Sequence, residues 1–89
     1  MKTELGPTFR KQYKKAAPAI KTAFTERLAL FLKNPHHDRL YNHALKGQWQ
    51  GYRSINISGD WRAIYQQYED GEEIIILFKA IGTHSELYK

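Results

Sequence analysis

The chain has 89 residues, 42% hydrophobic and 13% aromatic, a composition that suits one small globular domain and excludes a disordered chain. It contains no cysteine, which excludes a disulfide framework and a cysteine nucleophile and fits a reducing compartment. The longest apolar run, residues 74–78, is much shorter than the roughly 18 residues of a membrane span. No apolar segment follows Lys2, so a signal peptide is not expected. We therefore expect a single cytoplasmic domain over residues 1–89.

The charge of the chain indicates the kind of partner. Lysine and arginine number 14 and aspartate and glutamate 9, so the formal net charge is +5. Such an excess suits a polyanion, either nucleic acid or an acidic protein, although many small domains carry it without a specific partner. Cations are concentrated at Arg10, Lys11, Lys14 and Lys15. We expect a solvated helix face there, with phosphate binding as the alternative.

Two helices are predicted in the first part of the chain. A short strand over residues 2–5 precedes them, and Pro7 suits the first turn of a helix. From Phe9 onwards, apolar residues recur at the spacing of one helix face. Pro18 ends this helix and opens a second one, expected over residues 18–33. Helices joined so closely form a hairpin whose apolar faces need a surface to cover.

The second half of the chain predicts an antiparallel meander. Residues 36–50 are expected to be irregular, and Asp70-Gly71 is a strong hairpin signal. Alternating or apolar runs predict strands over residues 52–57, 61–68 and 73–81. The expected fold is therefore α+β: a two-helix hairpin packed on one face of a roughly four-stranded antiparallel sheet.

The alternation in the first meander strand predicts which sheet face stays open. Ile55 and Ile57 share one face, which we expect the helices to cover. Tyr52, Ser54 and Asn56 then lie on the other face. One buried face and one open polar face would form a groove for a ligand.

Two histidines could supply acid–base chemistry at such a groove. The histidines show no spacing typical of a metal site, so no metal is expected. His43 lies in a polar loop and His84 follows the most apolar strand. Either alone is more typical of a surface histidine. Together they could serve a metal-free ribonuclease, in which one group accepts the 2′-hydroxyl proton and another protonates the leaving 5′-oxygen.

Arginines and aromatic side chains suggest how a nucleic acid would be held. Arg53 and Arg62 lie on neighbouring predicted strands, and an arginine fork suits a phosphate group. The alternative for Arg62 is packing on Trp61 or Tyr65. The aromatic candidates for base stacking, of which half or more are ordinarily core residues, are Tyr52, Trp61, Tyr65 and Tyr88.

Three sequence blocks together resemble the RelE/ParE toxin superfamily, and within it the YafQ-like branch of bacterial mRNA interferases. The first block is His43-Ala44-Leu45-Lys46-Gly47-x-Trp49-x-Gly51-Tyr52-Arg53. The second is Asp60-Trp61-Arg62-Ala63-Ile64-Tyr65, and the third is Gly82-Thr83-His84-x-x-Leu87-Tyr88. The helix pair, the long loop and the meander match as well, so the resemblance covers essentially the whole chain.

The resemblance implies a type II toxin that enters the ribosomal A site and cuts mRNA there. The implied reaction uses no metal or cofactor: the 2′-hydroxyl attacks the adjacent phosphate and leaves a cyclic phosphate and a 5′-hydroxyl. The implied partners are ribosomal RNA, mRNA and a cognate antitoxin that silences the toxin, and no membrane is involved.

The resemblance also implies roles for individual residues. The catalytic candidates are His43, Asp60, Arg62, His84 and Tyr88. The candidates for substrate binding are Lys46, Tyr52, Arg53 and Asn56. His84 is expected to act as general acid, and either His43 or Asp60 as base.

The chain departs from the YafQ-like pattern on its first meander strand. Asn56 stands where those enzymes carry a catalytic histidine, and Ser54 where they carry an acid. Asparagine can hydrogen-bond a phosphate but cannot shuttle a proton. Two alternatives are a catalytically degenerate member that only binds ribosome and antitoxin, and a ParE-like gyrase inhibitor. The paired histidine motifs disfavour the gyrase inhibitor.

Overall fold

The computed structural model describes residues 1–88, which build one sheet, two long helices and a short C-terminal helix. Single 3₁₀ turns occur at Asp38–Leu40 and Gly47–Trp49. The elements in chain order are β1 (Lys2–Leu5), α1 (Pro7–Lys15), α2 (Pro18–Lys33), β2 (His43–Ala44), β3 (Arg53–Ser58), β4 (Trp61–Asp70), β5 (Glu73–Thr83) and α3 (His84–Leu87).

The sheet has five strands in the order β1-β5-β4-β3-β2. All neighbours are antiparallel except β1, which lies parallel to β5 and pairs Lys2 with Ile75. The predicted α+β class is confirmed, whereas the sheet differs from the expected four antiparallel strands. The additional strand, β2, has 2 residues, too few for an alternating pattern to reveal it. Both long helices and strands β2 to β4 separate β1 from its partner β5 along the chain. No tight turn therefore forces these two strands to run antiparallel.

The two long helices begin at prolines, as the sequence predicts. Pro7 follows the N-cap Gly6, and Pro18 follows the N-cap Ala17. Proline suits this position because the first helical N–H has no partner within the helix. The hairpin lies on one face of the sheet, where it buries Phe9, Phe24 and Phe31 against Phe78, Ile55, Ile57, Ala63, Tyr65, Ile76 and Ile81. We call this group the helix-side core.

A bulge in β5 determines which of its side chains reach the helix-side core. Tyr65 pairs with Phe78, but the preceding residue Ile64 pairs with Ala80. Lys79 is therefore an extra residue that reverses the alternation of the strand. As a result Phe78 and Ile81 both face the helices, while Ala80 faces the opposite side.

The second face of the sheet is partly covered, and the expectation of an open polar face was wrong at this end. Ile64, Ala80 and Leu87 form a small buried cluster, against which Leu45, Trp49, Tyr52 and Tyr88 pack. Ser54 is fully buried under this cover, and Asn56 is half-buried. The cover comes from α3 and from the loop before β3. The sequence did not predict α3, because 4 residues are too few to produce a helical apolar pattern.

The hydrogen bond between Tyr68 and Glu4 gives the fold a dependence on alkaline pH. The Tyr68 hydroxyl donates to Glu4 Oε1 at 3.0 Å and so links β4 to β1 across β5. The pKa of Tyr68 is raised from 10.0. The largest cause is this bond, followed by burial and by the charges of Glu4 and Asp70. A raised folded-state pKa means that the stabilisation is complete below the unfolded pKa and is lost as pH rises through the folded one.

We expect the free energy of unfolding to fall more steeply with alkaline pH in the wild type than in Tyr68→Phe. The comparison requires urea denaturation between about pH 8 and pH 11. Tyr41→Phe serves as control, because it removes a hydroxyl from a tyrosine that is more exposed than Tyr68. Equal slopes in the wild type and Tyr68→Phe would show that the bond does not form in solution.

Candidate active site

A pocket of about 340 Å³ lies on the second face, where β2, β4 and α3 meet. It contains two imidazoles, two cationic side chains and two phenols. Its lining residues are Tyr41, His43, Leu45, Lys46, Arg62, His84 and Tyr88. The structure therefore brings together His43, Lys46, Arg62, His84 and Tyr88, all of which the sequence predicted as site residues.

Two adjacent rows of paired residues place these side chains on one face. The first row, from β2 to β5, consists of His43, Ser54, Ile64 and Ala80. The second row, from β3 to β5, consists of Asn56, Arg62 and Gly82. Residues paired across antiparallel strands point to the same side, and adjacent rows on one face are about 7 Å apart. His43 and Arg62 can thus reach one substrate from neighbouring rows.

His43 is held in a defined tautomer by the backbone. Its Nδ1 lies 2.8 Å from the carbonyl oxygen of Tyr41, which can only accept, so Nδ1 carries the proton. Nε2 is then the unprotonated nitrogen of the neutral ring, available to accept a proton. Tyr41 adopts a left-handed conformation with φ of 44°, costly for an aromatic residue, and its ring lies 4.8 Å from the His43 ring.

The Gly82-Thr83-His84 motif folds α3 back over β5. Thr83 and Glu86 form a reciprocal capping box that fixes the start of α3 at His84. A Cβ at position 82 would meet Glu86 Oε1 at 3.2 Å and Leu87 at 3.4 Å, so glycine permits this close approach. The His84 and Tyr88 rings then lie 4.6 Å apart, one helical turn from each other.

The loop before β3 anchors α3 from outside. Trp49 Nε1 donates to the Leu87 carbonyl at 2.9 Å, and Gln48 Nε2 donates to the same oxygen at 3.3 Å. Tyr52 packs edge-on against Trp49 with ring centroids 5.4 Å apart. Tyr52, predicted to bind substrate, therefore lies beside the pocket as support for this loop and does not line it.

Arg62 is oriented by the turn between β3 and β4. Its Nη1 donates to the carbonyl of Gly59 at 2.8 Å and to that of Trp61 at 3.1 Å. Trp61 packs on the helix-side core and Arg62 lines the pocket, so packing of Arg62 on Trp61 or Tyr65 is not what the structure contains. The other edge of the guanidinium is left for an anionic ligand.

Three further predicted site residues, besides Tyr52, lie outside the pocket for different reasons. Arg53 pairs with Tyr65 of the helix-side core and points away from the pocket, because it differs by one position from Ser54 in the strand. Asp60 is an exposed turn residue, and its backbone carbonyl accepts the His84 N–H at 3.1 Å. Asn56 lies opposite Arg62 in the second row without lining the pocket.

Two buried polar atoms of β3 lie on the pocket's side of the sheet without lining the pocket. Ser54 Oγ and Asn56 Oδ1 are buried and have no hydrogen-bond partner among residues 1–88. Buried polar groups are ordinarily paired, so these two atoms are exceptions within the described residues. These are the two positions at which the chain departs from the YafQ-like pattern.

Tyr41 and Leu45 line the pocket and were not predicted as site residues. Leu45 is part of the quoted His43 block, whereas Tyr41 precedes it by 2 positions. A bulky aromatic side chain that is 65% exposed could have been noticed only from the structure.

Within residues 1–88, no cluster of three or more acidic or histidine side chains could hold a metal ion. No helix of that region has both the length and the apolar character needed to cross a bilayer.

The Trp49 anchor predicts a local effect of mutation. Trp49→Phe removes the indole donor to the Leu87 carbonyl, so we expect about 1 kcal/mol lower stability in urea denaturation. The Tyr88 amide, which donates to the His84 carbonyl inside α3, should exchange its hydrogen about fivefold faster.

Trp61→Phe is the matched control, since it removes the same ring area from the helix-side core and leaves the α3 anchor intact. We expect it to lower stability without selectively speeding exchange at Tyr88. Equal exchange rates at Tyr88 in Trp49→Phe and the wild type would contradict the anchor.

Comparison with known proteins identifies the family. Residues 1–89 match the family model of the bacterial toxin of type II toxin-antitoxin systems, YafQ. A candidate YafQ toxin of Haemophilus influenzae is 36% identical over 52 residues, which are 58% of this chain and 51% of that protein. This match thus spans about half the length of the relative.

Solved structures share the fold. YafQ from E. coli superposes with a TM-score of 0.80 at 24% identity, over 98% of this chain and 97% of that chain. The YoeB/ParE toxin from Agrobacterium tumefaciens gives 0.76 at 18% identity, over 94% and 99%. The E. coli DinJ–YafQ toxin–antitoxin complex gives 0.76 at 24% identity, over 98% and 96%. Because the family match extends over all of its residues, the chain belongs to the YafQ family of toxins from bacterial type II toxin-antitoxin systems.

Proposed function

We propose that this toxin is a ribosome-dependent mRNA endonuclease that works without a metal or cofactor. The observation that supports it is the convergence of two histidines, an arginine, a lysine and a tyrosine on one pocket of about 340 Å³. Acid, base and cationic groups together are what cleavage of RNA through its own 2′-hydroxyl requires.

The proposed reaction is an internal transfer at phosphorus. His43 Nε2 takes the proton of the 2′-hydroxyl, and the 2′-oxygen forms a bond to the adjacent phosphorus. The bond from phosphorus to the 5′-oxygen breaks, and His84 donates the proton that makes this oxygen a 5′-hydroxyl. The products are a 2′,3′-cyclic phosphate and a 5′-hydroxyl end. Of the two candidate bases, His43 is favoured because it lines the pocket and has an accepting nitrogen, whereas Asp60 does not line it.

Cationic and aromatic groups would stabilise the reacting phosphate. Arg62 is held on its turn carbonyls and presents its remaining N–H groups to the phosphate oxygens. Lys46 adds a second positive charge at the same pocket. Tyr88 packs against His84 and offers a ring face for a neighbouring base.

The proposed partners are a cognate antitoxin and the ribosomal A site with its mRNA and ribosomal RNA, which places the action in the cytoplasm. The antitoxin is supported by the E. coli structure in which YafQ is complexed with DinJ. Ribosome binding is supported by the cations of α1, whose last turn lies beside the site: Lys15 shares a cleft with Trp61 and Glu86 of α3.

A second candidate function is binding without cleavage. Ser54 and Asn56 favour it, because the pattern's proton-transferring side chains are absent at these two positions. Cleavage is the better supported function because His43 and His84 remain together in the pocket. A ParE-like action on gyrase has no comparable support, as it gives these two histidines no role.

Removal of His84 tests the proposed acid. We expect His84→Ala to lower cleavage of ribosome-bound mRNA by roughly 10²–10⁴-fold, the usual contribution of general acid–base catalysis. Primer extension on a defined message with purified ribosomes measures it. The fold should survive, because His84 is exposed. His36→Ala is the control, since His36 is also exposed and does not line this pocket. Undiminished cleavage by His84→Ala would remove His84 from the mechanism.

Arg62→Lys tests the role of the planar fork. Lysine keeps the charge but cannot hold the turn carbonyls and a phosphate together, so we expect at least about a tenfold slower cleavage at saturating ribosomes. The exposed Arg39→Lys is the matched control. Full activity in Arg62→Lys would mean that only charge matters at this position.

The cations of α1 predict how ribosome binding depends on salt. Lys11, Lys14 and Lys15 are all exposed. Replacing all three by glutamine should weaken ribosome binding and flatten the plot of log affinity against log salt by about 0.7–0.9 per lost phosphate contact. Cleavage at saturating ribosomes should remain within about twofold of the wild type, because chemistry occurs in the pocket.

The matched control removes the same charge elsewhere, by replacing Lys2, Lys33 and Lys79, which lie on three different elements. Identical salt slopes for the two triple variants would show that α1 makes no specific contact.

A further inference from the structure

Tyr41 is an exposed aromatic residue that folding does not explain. It is the most exposed large hydrophobic side chain among residues 1–88. It belongs neither to the helix-side core nor to the small buried cluster on the second face. It lines the cleavage pocket instead, with its ring centroid 4.8 Å from that of His43. A ring so open adds little to stability, because little of its apolar surface is removed from water.

The backbone at Tyr41 is held in an unfavourable conformation by its neighbours. Its φ of 44° and ψ of 49° are left-handed, a region that asparagine and glycine adopt far more readily than an aromatic residue. Leu40 before it is fully buried. Asn42 after it is fixed, because its amide donates to the Pro35 carbonyl at 2.9 Å and to the Tyr65 hydroxyl at 2.8 Å. Strain that the surroundings impose in this way is typical of functional sites.

The wall around Tyr41 indicates the chemical class of a ligand. Lys46 and Arg62 line the pocket, and no carboxylate of the described residues does. These cations suit a phosphate group. Tyr41 beside them offers an aromatic face of the kind on which any nucleobase can stack. A nucleotide, with a phosphate at its centre and a flat ring at its side, satisfies both features.

The two histidines give the bound RNA a direction. In the proposed reaction His43 takes the proton of the 2′-hydroxyl, which belongs to the nucleotide on the 5′ side of the scissile phosphate. His84 protonates the leaving oxygen, which belongs to the nucleotide on the 3′ side. The Tyr41 ring contacts His43, whereas the Tyr88 ring contacts His84. The nucleotide on the 5′ side is therefore the one within reach of Tyr41.

We propose that Tyr41 binds substrate by stacking on the base of the nucleotide on the 5′ side of the scissile phosphate. The RNA then runs 5′ to 3′ from the β2 end of the pocket to the α3 end. The assignment of the 5′ side rests on the proposed function, because it follows from the roles of His43 and His84. Stacking accepts every base, so Tyr41 holds this nucleotide in place without selecting its identity.

The test is NMR titration of the isotope-labelled toxin with dinucleotides that cannot be cleaved. The parent ligand is 2′-deoxyadenylyl-(3′→5′)-adenosine, whose first sugar lacks the attacking 2′-hydroxyl. One analogue lacks the base on the 5′ side and another lacks the base on the 3′ side, each replaced by hydrogen on the sugar. We expect the parent to shift the backbone amide of His43. We also expect it to bind at least about fivefold tighter than the analogue without the 5′ base.

Variants of Tyr41 separate its ring from its backbone. Tyr41→Asn removes the ring but suits the left-handed conformation, so the carbonyl that holds His43 Nδ1 stays in place. The nitrogen shifts of the His43 imidazole should therefore be those of the wild type. In this variant, removal of the 5′ base should no longer weaken binding, while removal of the 3′ base should have its wild-type effect. Tyr41→Phe should behave as the wild type, since it keeps the ring.

Tyr68→Thr is the matched control, because it removes an exposed tyrosine ring from β4 outside the pocket. It should keep the effects of both bases. The proposal is overturned if the parent does not shift His43 at millimolar concentration, or if removal of the 5′ base weakens binding to Tyr41→Asn as much as to the wild type. It is also overturned if Tyr41→Asn alters the His43 nitrogen shifts, since Tyr41 would then act through His43. Loss of the 3′-base effect in Tyr41→Asn would contradict the direction assigned to the RNA.

The outcome is distinguishable from that of the cleavage assay, because the dinucleotides cannot react. A toxin that cleaves mRNA but keeps the 5′-base effect in Tyr41→Asn refutes only the role of Tyr41. A toxin that binds the dinucleotides as expected but leaves ribosome-bound mRNA intact refutes only the endonuclease.

Discussion

The site depends on the return of a four-residue helix across the end of β5. So short a helix cannot persist alone in water, so it is held by contacts that the rest of the chain supplies. Leu87 is buried under it, Thr83 caps it, Trp49 ties down its last carbonyl, and Gly82 leaves room for it. His84 is positioned as a result of all four contacts. The geometry of the candidate site therefore depends on the local stability of this end of the sheet.

The two faces of the sheet have different roles: one packs against the two long helices and the other carries the candidate site. Because of the extra residue in β5, Phe78 and Ile81 both pack in the helix-side core, while Ala80 between them packs on the opposite face. With Phe78 toward the helices, a strand with regular alternation would send both Ala80 and Ile81 to the wrong side. The same division puts Arg53 and Arg62 on opposite faces although their strands are neighbours. The sheet thus separates two arginines that are close neighbours across its strands.

Sequence patterns predicted those parts of the fold that local chemistry determines. Pro7 and Pro18 set both helix starts, and Asp70-Gly71 marked the hairpin between β4 and β5. The motif blocks indicated the residues that meet in the pocket. Arg53 was predicted as a site residue from its motif block, although strand alternation already puts it on the face of Ile55 and Ile57. Asp60 was included because its motif neighbours are in the pocket, although its own contribution is a backbone carbonyl.

The pairing of β1 with β5 has a consequence for synthesis of the protein. Lys2 and Ile75 are partners although nearly the whole described chain lies between them. Contacts of such long range form late in folding, because the entropy of closing a large loop must be offset first. A nascent chain that has not reached β5 therefore has an unfinished sheet, and one that has not reached Tyr88 has an unfinished pocket. Translation thus delays the appearance of the site on every copy until Tyr88 has been joined to the chain.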